Sequence, residues 1–434
     1  MYNVNCKQIV YNIIVVYLYA ILFGGFILKK IGLTDELGLK IMACLDFIPL
    51  VLFFISNPSF YNRGKNIFKR KIFWLSWILL LLLLCITNYI HSRSLIPSII
   101  HVGALLRYVP LAYIIISLSY HYNIKEKLLY HLKAITIIML LIMTACILLG
   151  HKAEMFLPVM GKGATGLREI SSGYYSGVFP NTIDLSFLLL ILFIIWCNDK
   201  RLSKGRFIIL SLWMGICIFK TGSATATALF CMFLFFKLTE NQIYVRYMLI
   251  LFIGIEVIAL YFKYQYEVSL VIDNMQLSRL GIISITAPNF ITEFSFDTFW
   301  GIGNDEHVVL NKVNSYPEKV HMLYYTESLN AFGDVYWVAL LIFHGLIGLC
   351  IIGYIFYLIY KGISKYNITD KYFNFKRIIK WSYIAIFLLG LMNQVLVVKT
   401  FAIVFWILVA IVYSSITNNR INHEDSSNKQ LCLS

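Results

Sequence analysis

The chain has 434 residues, of which 59% are hydrophobic and only 14% are charged, and it carries a formal net charge of +15. That composition excludes an ordinary soluble domain. Apolar runs recur along the whole length, and a helix that crosses a bilayer needs roughly 20 such residues. The sequence therefore predicts a polytopic membrane protein.

About twelve apolar runs predict transmembrane helices. In chain order they cover residues 9–28, 39–55, 72–90, 95–119, 133–149, 178–197, 207–219, 224–238, 247–262, 335–360, 381–397 and 401–416. The seventh and eighth are short and share a hinge at Gly222. The first run is long for a secretory signal, and no small-residue cleavage site follows it, so it is interpreted as a span. The expected fold is all-α, with a single transmembrane domain over residues 1–434.

The distribution of Lys and Arg predicts the orientation. Basic residues concentrate in short segments on one side, such as RGKNIFKRK (63–71). Short cytoplasmic loops carry an excess of Lys and Arg, so both termini are expected in the cytoplasm. Lys29 and Lys30 fall on the outer side, where Asp35 and Glu36 partly offset them. The net charge then follows from topology, and no nucleic-acid partner is expected.

Two outer segments, 150–177 and 263–334, are much longer than the rest, and loops of that length are usually functional or disordered. The second is rich in aromatic and acidic residues, which predicts short amphipathic helices at the membrane surface and a lid over a site. None of the nine cysteines lies in either segment. The chain has no metal-ligand spacing and no glycine-rich phosphate loop, so no metal or cofactor is expected. The polar run 304–307 is interpreted as a turn.

Four motifs carry a resemblance to a known family. They are SGVFPNTIDLSFLLLIL (176–192), KTGSATATALF (220–230), RLGIISITAPNFITEFSFDTFWGIG (279–303) and DVYWVALLIFHGLIG (334–348). Their order and their spacing around one large outer loop resemble the superfamily of O-antigen polymerases (Wzy-type) and O-antigen ligases. The second motif departs from the family pattern, because Ala224 stands where the family has an arginine.

The resemblance implies a metal-independent glycosyltransferase of the GT-C type in the bacterial inner membrane. Its donor and acceptor would be oligosaccharides on undecaprenyl diphosphate, and no cofactor is implied. Membrane lipids, and optionally a chain-length regulator protein, would be its other partners. Developing charge on a diphosphate leaving group calls for cations, preferably Arg, and the attacking sugar hydroxyl calls for a base.

The cation candidates are Arg168, Arg279, Lys220 and Arg107. Arg168 is the sole Arg of segment 150–177, and Arg279 is the sole Arg of segment 263–334. The alternative to a diphosphate contact is, for each, a solvated loop cation. Lys220 ends a span, so a snorkelling lysine is its plain alternative. Arg107 lies inside a span, where a charge is costly. Arg107 is expected either to contact the diphosphate or to pair with a carbonyl or a carboxylate inside the bundle. Asp184 is the favoured carboxylate.

Three residues are candidates for the base. Asp334 stands eleven residues before the first glycine of the last motif, where the resemblance implies a histidine in the ligases. The alternative for Asp334 is a helix N-cap. His321 and Glu327 lie in the same loop, and either is equally consistent with a structural role.

The favoured function is polymerisation of lipid-linked repeat units into a surface polysaccharide, either O-antigen or capsule or exopolysaccharide. The first alternative is the sibling ligase. The second is a flippase for lipid-linked oligosaccharides, although the chain lacks the two matching halves typical of many transporters.

Overall fold

The computed structural model describes residues 2–55, 71–92, 94–119, 124–152, 157, 173–240, 242, 286–315, 335–364, 372–391, 395–396 and 398–414. Its helices are α1 (Tyr2–Lys30), α2 (Asp35–Leu45), α3 (Ile48–Ile55), α4 (Lys71–His91), α5 (Ile96–Leu106), α6 (Val109–Ser119), α7 (Ile124–Leu149), α8 (Thr182–Cys197), α9 (Lys204–Phe219), α10 (Ala224–Leu238), α11 (Ala287–Thr292), α12 (Phe296–Trp300), α13 (Glu306–Asn314), α14 (Tyr336–Ser364), α15 (Phe375–Gly390) and α16 (Lys399–Ser414). In these ranges the sole β pairing is an isolated bridge between Asp199 and Phe373.

Six candidate membrane spans are long and apolar enough to cross a bilayer. They are Lys7–Lys30, Asp35–Ile55, Lys71–His91, Ile96–Ser119, Ile124–Leu149 and Tyr336–Ser364. Helices α8, α10 and α16 are apolar but shorter. The prediction of an all-α, membrane-embedded protein is confirmed at this level.

The outer helices expose apolar side chains, as expected of a surface that faces lipid. On α4, Leu75 is 61% exposed and Ile86 is 53% exposed, while Phe73 and Leu84 on the opposite face are fully buried. Helices α8 and α16 are buried on nearly all sides, so they form the centre of the bundle. A helix that is apolar all round belongs in such a core.

Two of the candidate spans, Asp35–Ile55 and Ile96–Ser119, are each interrupted near the middle by a charged residue. Asp46 separates α2 from α3, and Arg107 separates α5 from α6. In both cases a proline follows three residues later, in DFIP (46–49) and RYVP (107–110). Proline has no N–H and its ring clashes with the carbonyl four residues earlier, so the first half-helix ends just before the charge. Each charged side chain therefore lies near the middle of its span.

One end of the bundle is strongly basic. There the loop after α8 pairs with the segment before α15, because Lys200 donates its N–H to Tyr372 and Asn374 donates its N–H to Asn198. Asp199 binds Lys133 and Arg201. Burial alone would raise the pKa of Asp199, but hydrogen bonds from Arg201 and Lys133 outweigh it and hold that pKa below its usual value. We call this region the basic end.

The opposite end carries the short helices of the second long segment. Helices α11, α12 and α13 lie in the described part of that segment, so short helices there are confirmed. Nζ of Lys312 lies 2.7 Å from Oε2 of Glu293 and 3.6 Å from Oδ2 of Asp297. Nε2 of His91, at the end of α4, lies 3.3 Å from Oδ1 of Asp297, so α12 lies against the end of α4.

The hinge predicted between the two short spans is also present. Helix α9 ends at Phe219, α10 begins at Ala224, and Gly222 between them has φ +72°. The polar run 304–307 is not a simple turn. Asp305 caps α13 by accepting hydrogen bonds from the N–H groups of His307 and Val308, and Glu306 is the first helical residue.

Candidate functional site

The first component of the candidate site is a buried charge cluster at the two helix interruptions. Oδ2 of Asp46 lies 2.7 Å from Nζ of Lys399 and 3.6 Å from Nε of Arg107. The Asp46 and Arg107 side chains are only 18% and 14% exposed. Charges in a membrane span are costly, and they persist where they pair or carry function.

The sequence favoured Asp184 as the partner of Arg107, and the structure provides Asp46 instead. The backbone carbonyl of Asp184 accepts a hydrogen bond from the hydroxyl of Thr400, at 3.0 Å. Thr400 is the neighbour of Lys399, so this hydrogen bond links the backbone of Asp184 to the charge cluster through α16.

The charge cluster has an excess of positive charge. Among the described residues it contains two cations for one carboxylate, and Oδ1 of Asp46 is buried with no hydrogen-bond partner there. Arg107 also lies over the ring of Tyr108, at 5.8 Å from its centroid. An incompletely neutralised cation pair in a poorly hydrated region favours an anionic group such as phosphate.

The second component is a junction between Gly-Ile-Gly (301–303) and a break in α14. Gly345 interrupts α14 with φ 64° and ψ −173°. At this break Ile302 donates its N–H to the carbonyl of Ile342 at 2.9 Å, and Gly303 donates to Phe343 at 3.2 Å. Two of the four sequence motifs are thereby hydrogen-bonded to each other through their backbones.

Only glycine fits at this junction. A Cβ on Gly301 would lie 2.4 Å from the carbonyl oxygen of Phe343, and one on Gly345 would lie 2.3 Å from that of Phe299. Both glycines have positive φ, a conformation that residues with a Cβ rarely adopt. Irregular backbone at membrane depth occurs where protein surrounds it or a cavity adjoins it, and it often marks a binding site.

Buried amides hold the junction against α4. Asn88, which is 0% exposed, donates to Ser98 at 2.5 Å and to the side-chain oxygen of Asn304 at 2.6 Å. Asn304 in turn donates its N–H to Asn88 at 2.8 Å and its side-chain NH₂ to the carbonyl of Pro97 at 3.0 Å. These hydrogen bonds fix the position of the Gly-Ile-Gly segment.

Beside the junction, two histidines are in contact within the bundle. The rings of His101 and His344 are 5.3 Å apart, and His344 is 0% exposed. Neither ring nitrogen of His344 has a hydrogen-bond partner among the described residues, and neither does Nε2 of His101. An unpaired buried polar group lowers stability and calls for an explanation. We call these residues the histidine pair.

The third component is the turn after α9. The carbonyl of Lys220 accepts a hydrogen bond from the N–H of Tyr175 at 2.9 Å, and a Cβ on Gly222 would lie 2.7 Å from the ring of Tyr174. Tyr174 and Tyr175 directly precede the first sequence motif, so the chain that leads into that motif contacts the second motif here. The Lys220 side chain is half-buried and ends α9, as predicted.

The three components are connected through shared helices. His101 and Arg107 lie on the same span, separated by roughly 9 Å along the helix axis. Thr400 links Lys399 to the first turn of α8, which directly follows the segment that packs on the Lys220 turn. Arg107 and Lys220 are therefore linked indirectly, through α16, α8 and the segment before α8. The other predicted site residues, Arg168, Arg279, His321, Glu327 and Asp334, lie outside the described residues.

Three described residues of this region were missed by sequence reasoning: Asp46, Lys399 and His344. A signal for Asp46 was available, because DFIP and RYVP each place a charge three residues before a proline inside a span. Lys399 falls between the predicted spans 381–397 and 401–416, and that pattern predicts a loop residue rather than the first residue of α16. His344 lies within the fourth motif, directly before Gly345, and a single histidine in an apolar run gives no local signal of a site.

Comparison with protein-family profiles, with characterised proteins and with solved structures finds no match to this chain.

Proposed function

We propose that this protein is a membrane-embedded glycosyltransferase that joins polyprenyl-diphosphate-linked oligosaccharide repeat units into a surface polysaccharide. The observation that carries the proposal is the junction. The third and fourth motifs of the family resemblance are far apart in sequence, and the hydrogen bonds from Ile302 and Gly303 to α14 join them. The proposal includes a GT-C-like bundle of about twelve spans.

In the proposed reaction, a hydroxyl oxygen of the acceptor sugar attacks C1 of the donor sugar. The bond from C1 to the diphosphate oxygen breaks, and polyprenyl diphosphate leaves with the bonding electron pair. A base among Asp334, His321 and Glu327 takes the hydroxyl proton. Arg168 and Arg279 hold the diphosphate, and the charge cluster with Lys220 adds positive charge nearby. Cleavage of the donor diphosphate ester supplies the driving force.

The proposed function is tested on the two loop arginines. Replacing Arg168 or Arg279 with Ala is expected to slow polymerisation on the order of a hundredfold, because an Arg–phosphate contact in a partly dry site stabilises the transition state by a few kcal/mol. Arg279→Lys is expected to fail as well, since Lys keeps the charge but loses the two-pronged geometry. The measurement is glycan chain length on a gel, in cells with normal amounts of inserted variant.

Lys152 provides the matched control, because it is an exposed cation in the first long outer segment. Lys152→Ala is expected to leave chain length unchanged. Long chains from both arginine-to-alanine variants would refute the site assignment. Single repeat units on the surface lipid identify a failed polymerase. A failed flippase would leave none there, and a failed ligase would leave long chains on the carrier lipid.

The proposed orientation places the basic end in the cytoplasm. A periplasm-dependent reporter fused after Asn314 is expected to be active, and one fused after Arg201 at the basic end is expected to be inactive, because positively charged loops stay inside. Activity measured with each fusion in intact cells checks this. An inactive Asn314 fusion with an active Arg201 fusion would show that the orientation is reversed.

A further inference from the structure

A second polar site lies at the basic end, away from the candidate site. It is a cleft of about 690 Å³ between the last turns of α10 and α14 and the first turns of α15. In the part of the chain that the structure describes, its charged lining residues are Glu240, Lys376, Arg377 and Lys380. Three cations and one carboxylate give the cleft an excess of positive charge. We call it the basic cleft.

The carboxylate of Glu240 is already occupied by cations. Its oxygens lie 2.9 Å from Nζ of Lys237 and 2.6 Å from Nη1 of Arg377. Burial alone would raise the pKa of Glu240, but the hydrogen bonds from Lys237 and Arg377 outweigh it and keep that pKa below its usual value. Glu240 therefore remains ionised and holds Arg377 in place, and the exposed Lys380 is left facing the cleft without competition from this carboxylate.

The walls of the basic cleft are amphipathic. Trp381 lines the cleft and stacks on Phe233, with ring centroids 4.9 Å apart, and Arg377 lies 5.9 Å from the Trp381 ring. Ile379 and Ile384 form apolar parts of the lining. The cleft also contains Asn374, the N-cap of α15, and the N-terminal end of a helix favours a bound anion.

We propose that the basic cleft binds the phosphate headgroup of an anionic phospholipid. Two features favour a lipid over a soluble anion. The cleft lies at the ends of membrane-embedded helices, and its aromatic and aliphatic walls suit the glycerol and upper acyl region that a phosphate ion lacks. Basic pockets between transmembrane helices commonly recognise such headgroups.

Retention of lipid by the purified full chain tests this inference. Native mass spectrometry would compare phosphatidylglycerol with phosphatidylcholine on the same sample. We expect wild-type protein to retain phosphatidylglycerol preferentially. We expect Lys380→Gln to weaken that retention about fivefold, because one Lys beside an anionic lipid headgroup contributes an affinity of about that factor. Adding Arg377→Gln is expected to remove the preference. Millimolar inorganic phosphate should not displace the lipid.

Lys204→Gln is the matched control, because Lys204 is an exposed cation of the basic end that does not line the cleft. It is expected to retain phosphatidylglycerol like the wild type. The inference is overturned if the two lipids are retained equally. It is also overturned if Lys204→Gln weakens retention as much as Lys380→Gln, or if inorganic phosphate displaces the lipid. Because Lys380 is exposed, its variant is expected to fold, and a thermal melt verifies this.

Discussion

Gly345→Ala is expected to destabilise the protein by about 3 kcal/mol or more, because it combines a left-handed backbone position with a direct clash. The new Cβ would lie 2.3 Å from the carbonyl oxygen of Phe299 and 2.5 Å from the backbone nitrogen of Gly301. Backbone atoms cannot rotate away as a side chain can. The junction must therefore open, and the hydrogen bonds to Ile342 and Phe343 would be lost. Thermal unfolding of the purified protein in detergent measures the loss.

The same helix provides the control for this prediction. A Cβ on Gly353 of α14 would meet none of the described residues within 4 Å, so Gly353→Ala is expected to be neutral or slightly stabilising. Equal melting temperatures for the two variants would contradict the description of the junction. If Gly345→Ala melts early but the inserted protein still makes long glycans, the junction has only a structural role, and the main support for the proposed function is removed.

Asp46→Asn is the second change with a large expected effect. It leaves Arg107 and Lys399 without their shared carboxylate in the middle of the bundle. Breaking a buried ion pair by removing one partner typically costs about 3–5 kcal/mol, because the remaining charge is not compensated. The expected result is a large decrease in melting temperature and in the amount of inserted protein.

A double substitution separates charge from packing in this prediction. Asp46→Asn combined with Arg107→Met is expected to be more stable than Asp46→Asn alone, because a buried cation has been removed. Glu36→Gln is the control on α2. Glu36 forms an ion pair with Lys40 at the surface, where the Glu36 side chain is 81% exposed and the Lys40 side chain is 70% exposed. That pair is 2.6 Å long, shorter than the Arg107 pair, and yet its loss is expected to be barely measurable because water screens it. No stability gain in the double variant would refute the charge argument.

Much of the helical fold could be predicted from hydropathy. Each predicted span that falls on described residues overlaps a helix, but the boundaries differ where helices extend into polar surroundings. Helix α15 covers Phe375–Gly390, whereas the prediction was 381–397. Its first turns contain Lys376, Arg377 and Lys380, and hydropathy assigned these charged residues to a loop. The periodic apolar face that buries Ile378 and Ile379 continues through them.

The candidate site was less accessible to sequence reasoning. The sequence correctly marked Arg107 as a charge inside a span, but its partner comes from a distant part of the chain, and a single sequence contains no information on which carboxylate it meets. The junction depends on a backbone geometry that Gly301 and Gly345 permit but do not by themselves specify. Such long-range pairings are set by the packing of whole helices rather than by local pattern.

The break in α14 also has a consequence for biogenesis. Since lipid offers no hydrogen bonds to exposed backbone, the carbonyls of Ile342 and Phe343 depend on Ile302 and Gly303. Ile302 and Gly303 precede α14 in the chain, so both donors are synthesised before the carbonyls that they bind. The part of α14 before Gly345 can therefore pack only against an earlier segment that is already in place. In a chain expressed as two pieces severed between α13 and α14, the second piece would remain unassembled until the first was present.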